Sequence, residues 1–280
     1  MKKFLAVFDG YKMSKSTIEY SIQLSQKAQA HLVGVFLDEF FYHSYSFYNI
    51  ISTQKNYQKV FKNLDAKDAR KRDEAVQQFQ KACEKAKINF SIHRDKKFAL
   101  LELKHESMFA DLVIINEHDT FTRGKEKLPT AFIKDLLIGV QCPVLLVPWN
   151  FKPIDKIVLL YDGRPSSLYA IKMFSYLFGT VDELPVMVYT VNEDDMASLR
   201  LPENKLMREF IKRHFPKAEY KIEKGNSEER IVGFMKNSGE NELVVLGAYQ
   251  RSEVSRWFKT SMADILMKEL NSPLFIAHSR

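Results

Sequence analysis

Apolar positions in this chain follow two alternating patterns. Short continuous runs, often β-branched, recur at 156–161, 184–191, 218–222, 242–247 and 273–277. Runs of that length read as strands buried on both faces of a parallel sheet. Between them the apolar residues fall at helical spacing. Ile171, Phe174 and Phe178 stand at i, i+3 and i+7, and Met262, Ile265 and Leu266 form a similar stripe near the end. Strand–helix alternation predicts right-handed βαβ crossovers and a doubly wound α/β sheet covered on both sides. Ser16-Thr17-Ile18-Glu19 is a capping-box pattern that predicts the start of the first helix.

The same pattern occurs twice. Phe4-Leu5-Ala6-Val7-Phe8-Asp9-Gly10 matches Ile157-Val158-Leu159-Leu160-Tyr161-Asp162-Gly163 at an offset of 153 residues. Asp111 to Asn116 matches Glu242 to Gly247 at 131, and Cys142 to Val147 matches Ser272 to Ala277 at 130. An offset that shrinks in this way means one duplicated fold with a surplus of about 22 residues in the first copy. The surplus lies between Asp38 and Ile88, which gives a first domain over 1–150 with an insertion at about 38–87 and a second over 154–280. The join, Phe151-Lys152-Pro153-Ile154, is short, so the two five-stranded domains are expected to pack against each other.

Composition removes several alternatives. The apolar fraction is 45% and the charged fraction 28%, ordinary values for a folded chain. The net charge of +7 permits contact with nucleic acid or anionic lipid, but the basic residues are scattered and argue for neither. Two cysteines cannot make a disulfide framework and fit a reducing, cytoplasmic setting. No apolar run reaches the roughly 20 residues that a membrane span requires, and the N-terminal run reads as a first strand rather than an export signal. The seven histidines show no metal-ligand spacing, and no nucleophile elbow is present, so neither a metal centre nor hydrolytic catalysis is expected.

In doubly wound sheets, ligands bind beyond the carboxyl ends of the strands. There each copy carries an Asp-Gly, Asp9-Gly10 and Asp162-Gly163, and the second copy carries the stretch from Gly247 to Ser261 after its fourth strand. With these residues the sequence resembles the universal stress protein family, over nearly the whole chain and in a tandem, two-domain form. The family's first strand ends in Asp-Gly, and its fourth is followed by Gly-x2-Gly-x9-Gly-Ser/Thr, a loop that wraps the phosphates and ribose of ATP in members that bind it. Gly247, Arg251, Ser252 and Ser261 match that signature. Gln250 and Thr260 stand where the second and third glycines would be.

The resemblance implies a stress-response binding or regulatory protein, not an enzyme, with its two domains packed as a pseudo-two-fold pair. It places any nucleotide site in the second copy, on Asp162, Gly163, Gly247, Arg251, Ser252, Thr260 and Ser261, and leaves ATP, AMP or no ligand open. In the first copy Asn116-Glu117-His118-Asp119 and Pro129-Thr130 replace the signature, and Glu117 and Asp119 would repel a polyphosphate. Asp162 and Asp9 have a plainer reading as helix N-caps.

The insertion offers a second class of function. Phe40 to Ile51 is rich in aromatics, and Lys55 to Lys87 reads as one long charged helix with Val60, Leu64, Val76 and Phe79 as its apolar contacts. Residues 40–51 could cover the domain's own ligand mouth, or serve as a protein-partner or homodimer surface. Stacking on nucleic acid is disfavoured by the acidic residues mixed in. Nucleotide hydrolysis on the same fold ranks last, since it needs a carboxylate pair or a complete phosphate loop.

Overall fold

The structure is a computed structural model that describes residues 1–9, 13–37, 57–95, 99–122, 124–179, 183–193, 199–239, 241–248 and 261–278, with side chains omitted at 57–69 and 95. The chain divides into two compact units, Met1–Gln141 and Cys142–Arg280. Both are α/β.

In the first unit the strands are β1 (Lys3–Asp9), β2 (His31–Leu37), β3 (Phe90–Asp95) and β4 (Leu112–Asn116). They pair in parallel in the order β3-β2-β1-β4. The helices are α1 (Lys15–Ala28), α2 (Tyr57–Ala86), α3 (Ala99–Glu106) and α4 (Ala131–Gly139), with a 3₁₀ turn at Ser107–Phe109. Strands β1 and β4 are buried almost end to end because helices cover both faces.

Helix α1 begins differently from the capping box read in the sequence. Its N-cap is Ser14, whose extended backbone lets its Oγ accept from the Thr17 amide at 3.1 Å, so Ser16 lies inside the first turn. The face that α1 buries is also unusual. Ser14, Thr17, Ser21 and Ser25 are all at most 3% exposed, a small-residue stripe that lets the helix lie close to the sheet.

Helix α2 is the insertion's helix. Phe79, fully buried, fixes it to the sheet: its ring meets those of Phe8, Phe36 and Phe90 at 5.4, 5.9 and 5.9 Å. A Cβ at Gly34 on β2 would fall 2.6 Å from that ring, so only glycine fits beneath it.

The second unit holds β5 (Val144–Val147), β6 (Lys156–Leu160), β7 (Val186–Asn192), β8 (Glu219–Lys224), β9 (Glu242–Gly247) and β10 (Leu274–Ala277). Five run parallel in the order β8-β7-β6-β9-β10, the order of the first unit continued by one strand. Strand β5, the last strand of the first repeat in sequence, adds antiparallel to β10, with Leu145 opposite Phe275. The helices are α5 (Pro165–Phe178), α6 (Asn204–His214), α7 (Ser227–Ser238) and α8 (Met262–Glu269).

The apolar face expected for α5 is the one it buries: Ile171, Phe174 and Phe178, with Phe174 and Phe178 against Phe275. For α8 the expected stripe is displaced by one residue. The helix buries Ala263, Leu266 and Met267, while Met262 and Ile265 are half-buried.

Candidate functional site at the carboxyl ends of β6 and β9

Strand β6 runs into Tyr161, whose buried carbonyl accepts from Thr190 Oγ1 at 2.8 Å. Asp162 follows and turns the chain. Its Oδ1 accepts from the Arg164 amide at 3.0 Å and from Ser167 Oγ at 2.6 Å. Arg164 Nε lies 3.7 Å from Oδ2, and the carboxylate side chain remains 54% exposed. Gly163 has φ +82 and sits against Pro202, with a would-be Cβ only 2.5 Å from the proline Cβ. A side chain at 163 is therefore excluded both by conformation and by contact.

Asp162 is not the N-cap of α5. That position is Arg164, which makes no side-chain cap, and Pro165 occupies the first helical position. Asp162 acts two residues earlier by accepting the Arg164 amide, as Asx side chains commonly do in turns. In the first copy too the cap is not the aspartate but Ser14.

Gly247 ends β9 and faces the start of α5. A Cβ there would lie 2.3 Å from the Ser166 carbonyl carbon, 2.4 Å from its oxygen and 2.6 Å from the Ser167 nitrogen. This glycine has a packing reason independent of any phosphate. Gly247 and Asp162 bear on the same dipeptide, Ser166-Ser167, so the structure brings these two expected residues together.

Ser261 is engaged elsewhere. Its Oγ accepts from the Asp264 amide at 3.2 Å, and Asp264 returns the bond in a capping box. Arg251, Ser252 and Thr260 lie outside the described residues, as do residues 40–51. Ser167 is the site residue that sequence reasoning missed. The signal was present, since Ser167 aligns with Ser14 at the repeat offset of 153.

The equivalent place in the first copy is closed by its own side chains. Asp9 is 2% exposed. Asn116, which aligns with Gly247, is fully buried; its Nδ2 donates to Ser14 Oγ at 3.1 Å and its Oδ1 accepts from the His118 amide at 3.0 Å. Glu117 is 1% exposed, and burial pushes its carboxyl up to about 8. His118 Nδ1 stands 3.6 Å from Glu117 Oε1, and burial moves its ring pKa down. Thr130, the counterpart of Ser261, caps α4 through the Ile133 amide and donates to the Asp119 carbonyl at 2.8 Å.

Among the described residues no cluster of His, Cys, Asp and Glu could hold a metal ion, and no helix is long and apolar enough to cross a membrane. What the second copy offers is a half-exposed carboxylate at a strand end, held by a serine and a backbone amide, beside a helix start that lacks a side-chain cap.

Such a site on a duplicated, doubly wound sheet defines a tandem protein of nucleotide-binding-like fold. No family model matches the chain. It is 20% identical over 166 residues to a universal stress protein of Synechocystis, covering 59% of this chain and 56% of that one. The chain thus spans little more than half the length of this curated relative. A crystal structure of a universal stress protein from Archaeoglobus fulgidus superposes with a TM-score of 0.68 at 14% identity, covering 99% of this chain and 98% of that one. A functionally unknown protein from Pseudomonas aeruginosa superposes with 0.58 at 13% identity, covering 99% and 92%. Sequence and fold together make this chain similar to the universal stress proteins, in their tandem form.

Proposed function

We propose that this chain is a binding and regulatory protein of universal stress type that takes an adenine nucleotide in its second repeat only. The observation behind this reading is the asymmetry between the paired aspartates: Asp162 keeps a 54% exposed carboxylate, whereas Asp9 is 2% exposed. An exposed carboxylate at a strand end accepts from ribose hydroxyls or an adenine amine; Asp162 Oδ1 is engaged by the Arg164 amide and Ser167, so the ligand would be taken on Oδ2, which has Arg164 Nε 3.7 Å away. The glycine-poor loop, with Gln250 and Thr260, makes the phosphate contacts the weaker part of the site. Its role is to bind and report a ligand rather than transform it.

The test is a thermal melt of the full chain with Mg-ATP, ADP and AMP, repeated for Asp162→Ala. A ligand at a hundred times its dissociation constant adds about 2.7 kcal/mol to the state it binds. That is a shift of about 5–10 °C for units of this size. The reading expects this shift in the wild type and its loss in the variant. No shift with any nucleotide at saturating concentration, or an equal shift in Asp162→Ala, overturns it.

A further inference from the structure

The outward face of α5 departs from its counterpart in the first repeat. On α1 the outward positions are Lys15, Glu19 and Gln23; at the repeat offset α5 carries Leu168, Lys172 and Tyr176. Leu168 is 37% and Tyr176 54% exposed. Helix α6 lies alongside in the same direction. Gly163 touches Pro202 where the two begin, and Tyr176 meets His214 at 6.0 Å where they end. On α6 the buried face is Met207 and Ile211, yet Leu206 is 64% exposed and Phe210, against His214 at 4.3 Å, is half-buried.

Around these apolar side chains the exposed charge is mostly positive. Lys172 lies over the Tyr176 ring at 5.6 Å, and Lys205, Lys212 and Arg213 are exposed along α6, with Glu209 bound to Arg213 as the acidic exception within the helix. Basic residues that look scattered along the sequence thus recur at exposed positions of these two helices. The apolar side chains stand out among them, with Leu206 and Tyr176 each showing more than half of their surface.

We propose that the α5–α6 face docks this protein peripherally on an anionic lipid surface. Leu168, Tyr176, Leu206 and Phe210 enter the headgroup–acyl boundary while Lys172, Lys205, Lys212 and Arg213 reach the phosphates. Protruding leucines and tyrosines suit a fluid boundary that closes around each side chain, and long basic side chains extend to the headgroups from the same face. The complement is charge: Lys172, Lys205, Lys212 and Arg213 are exposed on the two helices against Glu209, while the acidic Asp162 and Glu203 stand at the end where the helices begin.

The test is flotation of the full chain with vesicles of phosphatidylcholine alone and of phosphatidylcholine mixed with phosphatidylglycerol. The chain should float with the anionic vesicles, weakly or not at all with the neutral ones, and should be released by added salt. Lys205→Gln and Lys212→Gln should each weaken binding about fivefold. Leu206→Ser should weaken it about tenfold. All three positions are exposed, so melting temperature should hold in each variant, and the salt titration of the wild type needs no variant. Absence of flotation with anionic vesicles, equal flotation with neutral ones, or unchanged binding in the variants overturns the proposal. So does a protein partner that is lost with Leu206→Ser while no vesicle binds, which would make the face a protein-docking surface instead.

Discussion

Replacing Gly247 with alanine puts the packing account of the second repeat to a direct test. The added methyl would lie 2.3, 2.4 and 2.6 Å from Ser166 C, Ser166 O and Ser167 N, whereas ordinary contact begins at 3.4 Å. The gap must therefore open by about 1 Å, and every blocking atom is backbone, so no rotamer change relieves it. Overpacking of this kind costs typically 1–3 kcal/mol, offset by about 0.4–1 kcal/mol because alanine restricts the unfolded chain. A net loss of about 1 kcal/mol should lower the melting temperature of the second unit by about 2–4 °C in differential scanning calorimetry. The matched control is Gly233→Ala in α7, where a Cβ meets nothing within 4 Å. There the exchange should raise stability by about 0.5–1 kcal/mol, since glycine weakens a helix interior. If Gly247→Ala melts with or above the wild type while Gly233→Ala gains as expected, the close approach of β9 to α5 is not what this glycine serves.

Three further predictions follow from the first unit and need only denaturation experiments. Phe79→Ala should cost about 3–5 kcal/mol in urea unfolding, because the ring is fully buried among Phe8, Phe36 and Phe90; a loss below about 1 kcal/mol would mean that α2 is not anchored there. Asn116→Ala should cost about 1–3 kcal/mol, since it strands a buried bond to Ser14 Oγ, and unchanged unfolding would refute that role. Glu117 has its carboxyl pushed up to about 8 by burial, so the folded state holds a proton that the unfolded state has lost; its contribution is complete below the ordinary carboxylate range and is lost as pH rises toward about 8. Glu117→Gln should remove a few kcal/mol of that decline between about pH 4.5 and 8, and parallel stability curves for variant and wild type would count against a buried, protonated Glu117.

Those elements with a strong apolar signal were legible in the sequence. The run at 242–247 is β9, and the Ile171–Phe174–Phe178 stripe is the buried face of α5, because a covered sheet demands continuous apolar strands and one-sided helices. Helix α1 escaped that logic. Its buried face mixes Ile18, Tyr20 and Leu24 with Ser16, Thr17, Ser21 and Ser25, and hydropathy reads the hydroxyl positions as solvent-facing. Of the site, the Asp-Gly turn was legible from the duplication, and Gly247 was found with a ligand reason where the structure supplies a packing one. Asn116 and Glu117 could be read as departures from a phosphate loop, but their complete burial depends on tertiary contacts that no local pattern encodes.

The two repeats share one strand order and reach opposite results at the same place, and residue-level differences account for it. Where the second repeat has Gly247, its backbone presses on Ser166-Ser167, and Ser167 is left to hold an exposed Asp162. Where the first has Asn116, a side chain fills the junction and takes Ser14 for itself. Helix length acts in the same sense. The 30-residue α2 packs against α1, where Ser16 and Tyr20 are at most 1% exposed; the 11-residue α6 leaves their counterparts Tyr169 and Met173 half-buried. The insertion's helix covers the flank of its own repeat, whereas the shorter α6 leaves the matching flank of α5 open. Duplication permits this division because one repeat can keep its polar groups buried while the other leaves the matching groups exposed.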